Sequence, residues 1–226
     1  MVLNKKNPKV LAIGAHPDDI EIGAGGFISL LANRHKGHVE FLVLTKGVQK
    51  EAQDFISDSS RRASEAKDAA KNLGIPAENI TVLDFIDCKL HEFGHEIIRQ
   101  IETILYDSDG NSKFDIVLTH AAEDTHEDHR VTLEATLSAV RHFHGTVLCY
   151  QSPTTKPNGF RPTFFVELDS DAIAKKTLAL QAHNSQRFKP FMQAHKTLGL
   201  AVNWAQFHRL PEDTYLEAFE IYKSFF

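Results

Sequence analysis

With 226 residues, 42% of them hydrophobic and 24% charged, the chain has the length of one domain with a sizeable core. A net charge of −5 leaves no basic stripe for phosphates, which argues against a nucleic-acid partner, and no apolar run approaches a membrane span. Two cysteines, Cys88 and Cys149, cannot frame a disulfide scaffold and read as small buried apolar residues of a cytoplasmic protein, the N-terminus having no signal-peptide core.

In chain order, Val10–Gly14 is an apolar run without polar alternation, the pattern of a strand buried on both faces. A helical period follows, with Ile22, Phe27, Leu30 and Leu31 on one side, ending near Gly37; Val39–Leu44 is a second strand. A polar loop, Thr45–Ser60, leads into a helix over about Arg61–Asn72, stopped by Gly74. Ile80–Phe85 reads as strand, Ile97–Tyr106 as helix, Asp115–Thr119 as strand, Arg130–Arg141 as helix and Thr146–Tyr150 as strand. Strands alternating with helices at this spacing predict an α/β fold, a doubly wound, mostly parallel sheet flanked by helices.

The last third differs. It carries a turn-rich excursion over 151–162, the short strand TFFVEL, a helix over about Asp171–His183, less regular helical sequence to Trp204 and the strand-like YLEAFEIY. Without a linker, repeat or low-complexity tract, residues 1–226 are expected to form a single domain with a C-terminal elaboration. In such sheets ligands bind beyond the carboxyl ends of the strands.

The chemistry-bearing residues fall there. Thirteen histidines is the one unusual count, and histidine is the commonest metal ligand. The stretch VLAIGAHPDDIEIGAGG (10–26) places glycines after a strand, yet they come after the acids and do not spell G-x-G-x-x-G; no Gly-Lys-Ser/Thr marks a P-loop either. Instead His16, Asp18 and Asp19 stand together at the strand end. His16 and Asp19 can share one cation across a turn stiffened by Pro17, while Asp18 takes a different orientation and can face a metal-bound water. Capping the next helix would use one acid, not two acids and a histidine.

A second cluster, THAAEDTHEDHR, follows Asp115–Thr119 and reaches the same sheet edge. Its His126 and His129 can share one side of a helix's first turn, with Asp128 between them; read alone, the segment also suits a solvated acidic cap. A rival is HEFGH, His91–His95, which matches H-E-x-x-H with Glu92 as base and makes a zinc metallopeptidase the alternative. That motif requires a stable helix through both histidines and a third ligand beyond, whereas Gly94 lies between them.

AHPDDIEIGAGG together with HEDHR resembles the PIG-L/LmbE-like family of metal-dependent deacetylases, whose fold is Rossmann-like and whose members remove acetyl groups from N-acetylglucosaminyl compounds. The likeness runs from about Val10 to Gln186, through RASEAKDAAKNLG, VLCYQSPTT, PTFFVEL and KTLALQAHNSQ. It implies that His16, Asp19 and His129 bind Zn²⁺, with Fe²⁺ also suited to two histidines and a carboxylate. It further implies Asp18 as general base, His126 acting on the substrate carbonyl or leaving amine, Asp128 orienting His126, and Arg62 binding substrate or the oxyanion. His183 and Gln186 fall near the site without an assigned role, and the loop Glu123–Asp124–Thr125 is expected to touch substrate. The implied reaction is hydrolysis of the N-acetyl group of a small amino-sugar conjugate, with nothing against a homo-oligomer. A non-catalytic carbohydrate-binding relative would keep the metal ligands but have no use for Asp18, His126 and Asp128.

Overall fold

A computed structural model describes residues 5–47 and 59–225; the part of the expected polar loop over 48–58 lies outside them. Five strands, β1 (Lys9–Gly14), β2 (His38–Thr45), β3 (Ile80–Phe85), β4 (Ile116–His120) and β5 (Thr146–Tyr150), pair in parallel in the order β3-β2-β1-β4-β5. The strand order reverses between β1 and β4, so the loops leaving their carboxyl ends flank one crevice. Two antiparallel strands extend the sheet beyond β5: β7 (Leu216–Lys223), then β6 (Phe164–Glu167). The doubly wound, mostly parallel sheet with a C-terminal elaboration is thus the observed architecture.

Alternation along β1 divides the core. Val10 and Ala12 join a layer with α1 (Asp19–Ser29), α2 (Ser59–Asn72) and α5 (Ser170–Ala182); Leu11 and Ile13 join one with α3 (Gly94–Leu105) and α4 (Glu127–Ala139). A strand with helices on both sides has no polar face, which is why its sequence shows no alternation.

α1 is buried along its whole length and continues as one π-helical turn, Leu30–Arg34. Its glycines serve packing. A Cβ on Gly23 would lie 2.2 Å from a ring carbon of Tyr150, and one on Gly26 would lie 2.5 Å from a Leu168 methyl. The elaboration grips this helix through a buried ion pair. Glu217 on β7 accepts the N–H groups of Gly26 (2.8 Å) and Phe27 (2.7 Å) and takes Lys176 Nζ from α5 at 2.5 Å; Lys176 also donates to Ile22 O at 2.7 Å. The irregular stretch after α5 resolves into two 3-10 turns and a sixth helix, α6 (Ala194–Phe207).

Two expectations are corrected here. HEFGH is no metallopeptidase helix: Leu90–Phe93 is a 3-10 turn, α3 begins at Gly94, and His91, Glu92 and His95 are all exposed. The α-helical i,i+4 spacing that would bring both imidazoles to one ion is therefore not formed. Cys149 is buried as expected, but Cys88 is exposed, in a turn with φ of 61°.

Gly23→Ala should cost about 1–3 kcal/mol of stability, because its methyl meets a fully buried ring. Urea unfolding of the variant beside Gly94→Ala, whose Cβ would meet no atom within 4 Å, checks this: only the first should lose stability.

Candidate metal centre

The chain leaves β1 at Gly14 and turns through Ala15–Asp18 into α1. Ala15 fixes that turn to its neighbours: its N–H donates to His120 Nε2 at the end of β4 (3.2 Å), and its carbonyl accepts the N–H of Thr45 (2.9 Å) at the end of β2. Asp18 stands at the helix N-terminus with φ of 132°, yet its side chain makes no capping bond. A non-glycine residue held there is strained, which is a common feature of functional positions. The capping alternative is thereby removed for Asp18.

Asp19 is the hub. Its Oδ2 accepts the N–H of His16 (2.7 Å) and lies 3.4 Å from His16 Nδ1 and 3.3 Å from His120 Nε2; its Oδ1 lies 3.3 Å from His129 Nε2. All four side chains are buried. The imidazoles of His120, His129 and His126 stack in sequence, with centroids 4.0 Å and 4.5 Å apart.

A second tier of carboxylates sets which nitrogen of each imidazole faces the hub. His16 Nε2 contacts Asp87 Oδ1 (2.9 Å) and Asp128 Oδ2 (3.2 Å), so that in the neutral ring, the form that ligates, the proton is on Nε2 and the lone pair on Nδ1 faces Asp19. His129 Nδ1 likewise faces Asp124 Oδ2 (3.1 Å), leaving Nε2 as the lone-pair nitrogen. That Nε2 is buried and makes no hydrogen bond, although Asp19 is near. Two neutral imidazoles and a carboxylate converging in this way could together hold a divalent cation. Among the described residues, sets of potential ligand atoms within 4.8 Å of one another are His16–His126–His129, Asp19–His120–His129 and His16–Asp87–Asp128. His16 and His129 each belong to two of these sets and Asp19 to one; the expected triad is not itself one of them, and His91 and His95 belong to none.

The electrostatics are those of a pocket prepared for positive charge. Burial by itself lowers the His129 pKa, but the charge of Asp19 and the bond to Asp124 lift it to about 9. His16 is also raised well above its usual value, since Asp128, Asp19 and Asp87 together outweigh its burial. His120, by contrast, is pushed down to about 4 by burial and by the neighbouring His129.

Several expected roles shift. Asp128 does not reach His126 with its carboxylate, which is engaged by His16 and by the N–H groups of Cys88 (2.7 Å) and Leu90 (3.3 Å). Its backbone N–H donates to His126 Nδ1 instead (3.3 Å), because His126 is the N-cap of α4. Asp124 is not a substrate-facing loop residue either. It is 1% exposed, accepts from His126 N–H (2.8 Å), and receives the hydroxyls of Ser152 (2.5 Å) and Thr155 (3.2 Å) on the oxygen that holds His129.

Arg62 is 1% exposed and braces the turn. Its terminal nitrogens reach the carbonyls of Gly47 and Pro17 (2.9 Å) and the Asp18 carboxylate (3.4 Å). His183 pairs with Glu21 (3.2 Å) and Gln186 donates to Ser185 (3.1 Å); neither lines the cavity. That cavity, about 60 Å³, is walled by His16, Asp18, Asp19, Arg62, His126 and His129, with Lys189 and Phe191 from the elaboration.

Sequence reasoning missed His120 and Asp87 and gave Asp124 a different role. His120 and Asp87 both stand at or just past the carboxyl end of a parallel strand, the same positional signal that singled out His16. Asp124 shows no such mark, since its value depends on the later fold of the 152–155 loop.

Asp124→Asn should weaken zinc binding about 10- to 100-fold, by removing the anion that fixes His129. His129→Ala should abolish stoichiometric metal, whereas the double variant His91→Ala/His95→Ala should bind it like the parent; metal analysis after dialysis distinguishes the three.

Residues 11–140 match the profile of the PIG-L family, GlcNAc-PI de-N-acetylase. The uncharacterized deacetylase YaiS of Escherichia coli is 32% identical over 182 residues, covering 80% of this chain and 92% of that protein. The diacetylchitobiose deacetylase of Thermococcus kodakarensis is 30% identical over 195 residues, covering 79% and 70%. In fold, the chain superposes on N,N'-diacetylchitobiose deacetylase from Pyrococcus horikoshii with a TM-score of 0.75, at 21% identity, covering 97% of this chain and 88% of that one. The chain belongs to the PIG-L family of GlcNAc-PI de-N-acetylases.

Proposed function

We propose that this protein is a metal-dependent N-deacetylase acting on the N-acetyl group of an amino-sugar conjugate. His16, Asp19 and His129 would hold Zn²⁺ or Fe²⁺, and Asp18 would be the general base. One observation carries the reading: Asp18 lines the same small cavity as His16, Asp19 and His129. A pure binding site would have no use for a strained, unpaired-with-the-helix acid at that position. The diacetylchitobiose deacetylase relative supports an N-acetylglucosamine unit as the part recognised.

A cation bound there supplies a Lewis acid for the amide carbonyl and acidifies water. The chain's own residues then have distinct tasks. Asp18 accepts a proton from the attacking water. Burial lifts its pKa above the ordinary carboxylate value, the Asp19 charge adds to that and Arg62 opposes it, so it is a better base than an exposed aspartate. Arg62 holds that carboxylate in place through its 3.4 Å contact. His126 has its pKa lowered by burial and by the neighbouring His16 and His129, so it is neutral near pH 7. Because its Nδ1 accepts the Asp128 N–H, its proton is on Nε2, which suits it to donate a hydrogen bond to the developing oxyanion. As the C–N bond breaks, the proton taken by Asp18 is returned to the departing amine, giving acetate and a free amino sugar.

The test is an acetate-release screen of the zinc-loaded protein on N-acetylglucosaminyl conjugates. Asp18→Asn should retain its metal and lose about 10²- to 10⁴-fold in turnover. Full turnover in that variant would overturn the assignment, and sugar binding without acetate release in the parent would favour a carbohydrate-binding protein. The acid limb of the pH–rate profile reports loss of the deprotonated base, so it should lie above the pKa of an ordinary aspartate.

A further inference from the structure

The metal cavity has a neighbour. Beyond a wall formed by Ile22, Pro153 and Phe191, which line both spaces, a second pocket of about 280 Å³ opens toward Pro190 and Leu200. Its walls come from the loop after β5, the turn Pro190–Met192 and α6, all parts of the C-terminal elaboration apart from Ile22.

Three of the polar side chains on these walls already have partners. Ser152 donates its hydroxyl to Asp124 (2.5 Å), Thr197 donates to the carbonyl of Phe191 (2.6 Å), and Gln151 Oε1 accepts the Trp204 indole N–H (3.4 Å). Lys196 is exposed and keeps its charge in water. A hydroxyl-rich ring entering here would give up its hydration without finding partners, whereas an apolar group would gain by leaving water. The volume lies at the small end of ligand pockets, about 300–1,000 Å³, enough for one short chain or one ring.

We infer that this pocket is a specificity subsite for an apolar group carried by the amino sugar, a short alkyl chain or a single aryl ring. The inference rests on the deacetylase reading of the adjoining cavity. The group can be attached at either end of the substrate, as the aglycone or as an N-acyl chain longer than acetyl, and two series of compounds distinguish the sources. The first compares methyl with hexyl glycosides of N-acetylglucosamine; the second compares N-acetyl with N-hexanoyl glucosamine methyl glycosides. Release of free amine gives kcat/KM for both, and calorimetry on the Asp18→Asn protein gives Kd for the same compounds without turnover.

Each methylene that enters the pocket is worth up to about fourfold, from roughly 0.8 kcal/mol. One series should therefore gain about tenfold or more in kcat/KM and in affinity with the longer group, and the series that gains identifies the source. Leu200→Lys should bring that long-to-short ratio down to about one. Leu200 is 39% exposed, so the substitution is compatible with folding, and Leu200→Asn provides a second variant with the same expected loss. Absence of a length effect in both series, or a length effect that survives both variants, would overturn the subsite. Length-dependent binding lost in Leu200→Lys, without amine release from any compound, would keep the subsite and sink the deacetylase reading. Turnover with no length dependence would do the reverse.

Discussion

The site depends on one carboxylate being held at the crossover of the sheet. Burying Asp19 would cost several kcal/mol if it stood alone. It accepts the N–H of His16 and lies 3.3–3.4 Å from ring nitrogens of His16, His120 and His129, which arrive from the β1 turn, the end of β4 and the first turn of α4. That arrangement follows from topology. Only at a reversal of strand order do two adjacent parallel strands send their connections in opposite directions and leave an open crevice at their ends. The burial energy of five strands therefore positions the ligands, and no ligand needs to be held by a flexible loop alone.

Around Asp19, other anions hold the donors rather than compete for the cation. Asp87 and Asp128 fix the proton of His16, and Asp124 fixes that of His129, so each lone pair is directed inward before any ion arrives. Asp124 is itself held by Ser152 and Thr155 from the loop after β5. This chain of bonds couples the proposed metal ligands to the strand beyond β4. A structure with the same three ligands but a different 152–155 loop would have a freer His129 ring and a weaker site.

The legible and illegible parts of the sequence divide along the same physical line. β3 over Ile80–Phe85 and β5 over Thr146–Tyr150 could be read to the residue, because short runs rich in β-branched and aromatic residues between helices have little alternative fate. His16, Asp18 and Asp19 were readable because a buried strand ends in three groups that burial would penalise unless they had work to do. The role of Asp128 was not, since contact with His16 rather than His126 depends on where the turn at Asp87–Leu90 lands, its Asp87 standing 71 positions from His16 and its Cys88 40 from Asp128, yet adjacent to both in space. Asp124 was misplaced for a similar reason: a run of acids in a loop looks solvated until a serine and a threonine from another loop close over it. The histidines of HEFGH were the opposite case, a good pattern without the helix that gives it meaning.

Reaction and recognition are built from different parts of this molecule. The groups around Asp19 come from the parallel half of the sheet, whose strand ends are fixed by core packing on both faces. The surfaces facing them, Pro153, Lys189, Phe191 and the walls of the apolar pocket, come from the loop after β5 and from the elaboration. What joins the halves is the Lys176–Glu217 pair, which clamps α1 between α5 and β7 just behind Ile22, the residue that lines both cavities. Breaking a buried pair of this kind by removing one partner leaves an uncompensated charge, so the clamp is intolerant of change. The lining residues carry no such constraint. Substitutions at Leu200 or Phe191 can reshape what is bound without moving His16, Asp18 or Asp19, because the rigid joint lies between the two sets.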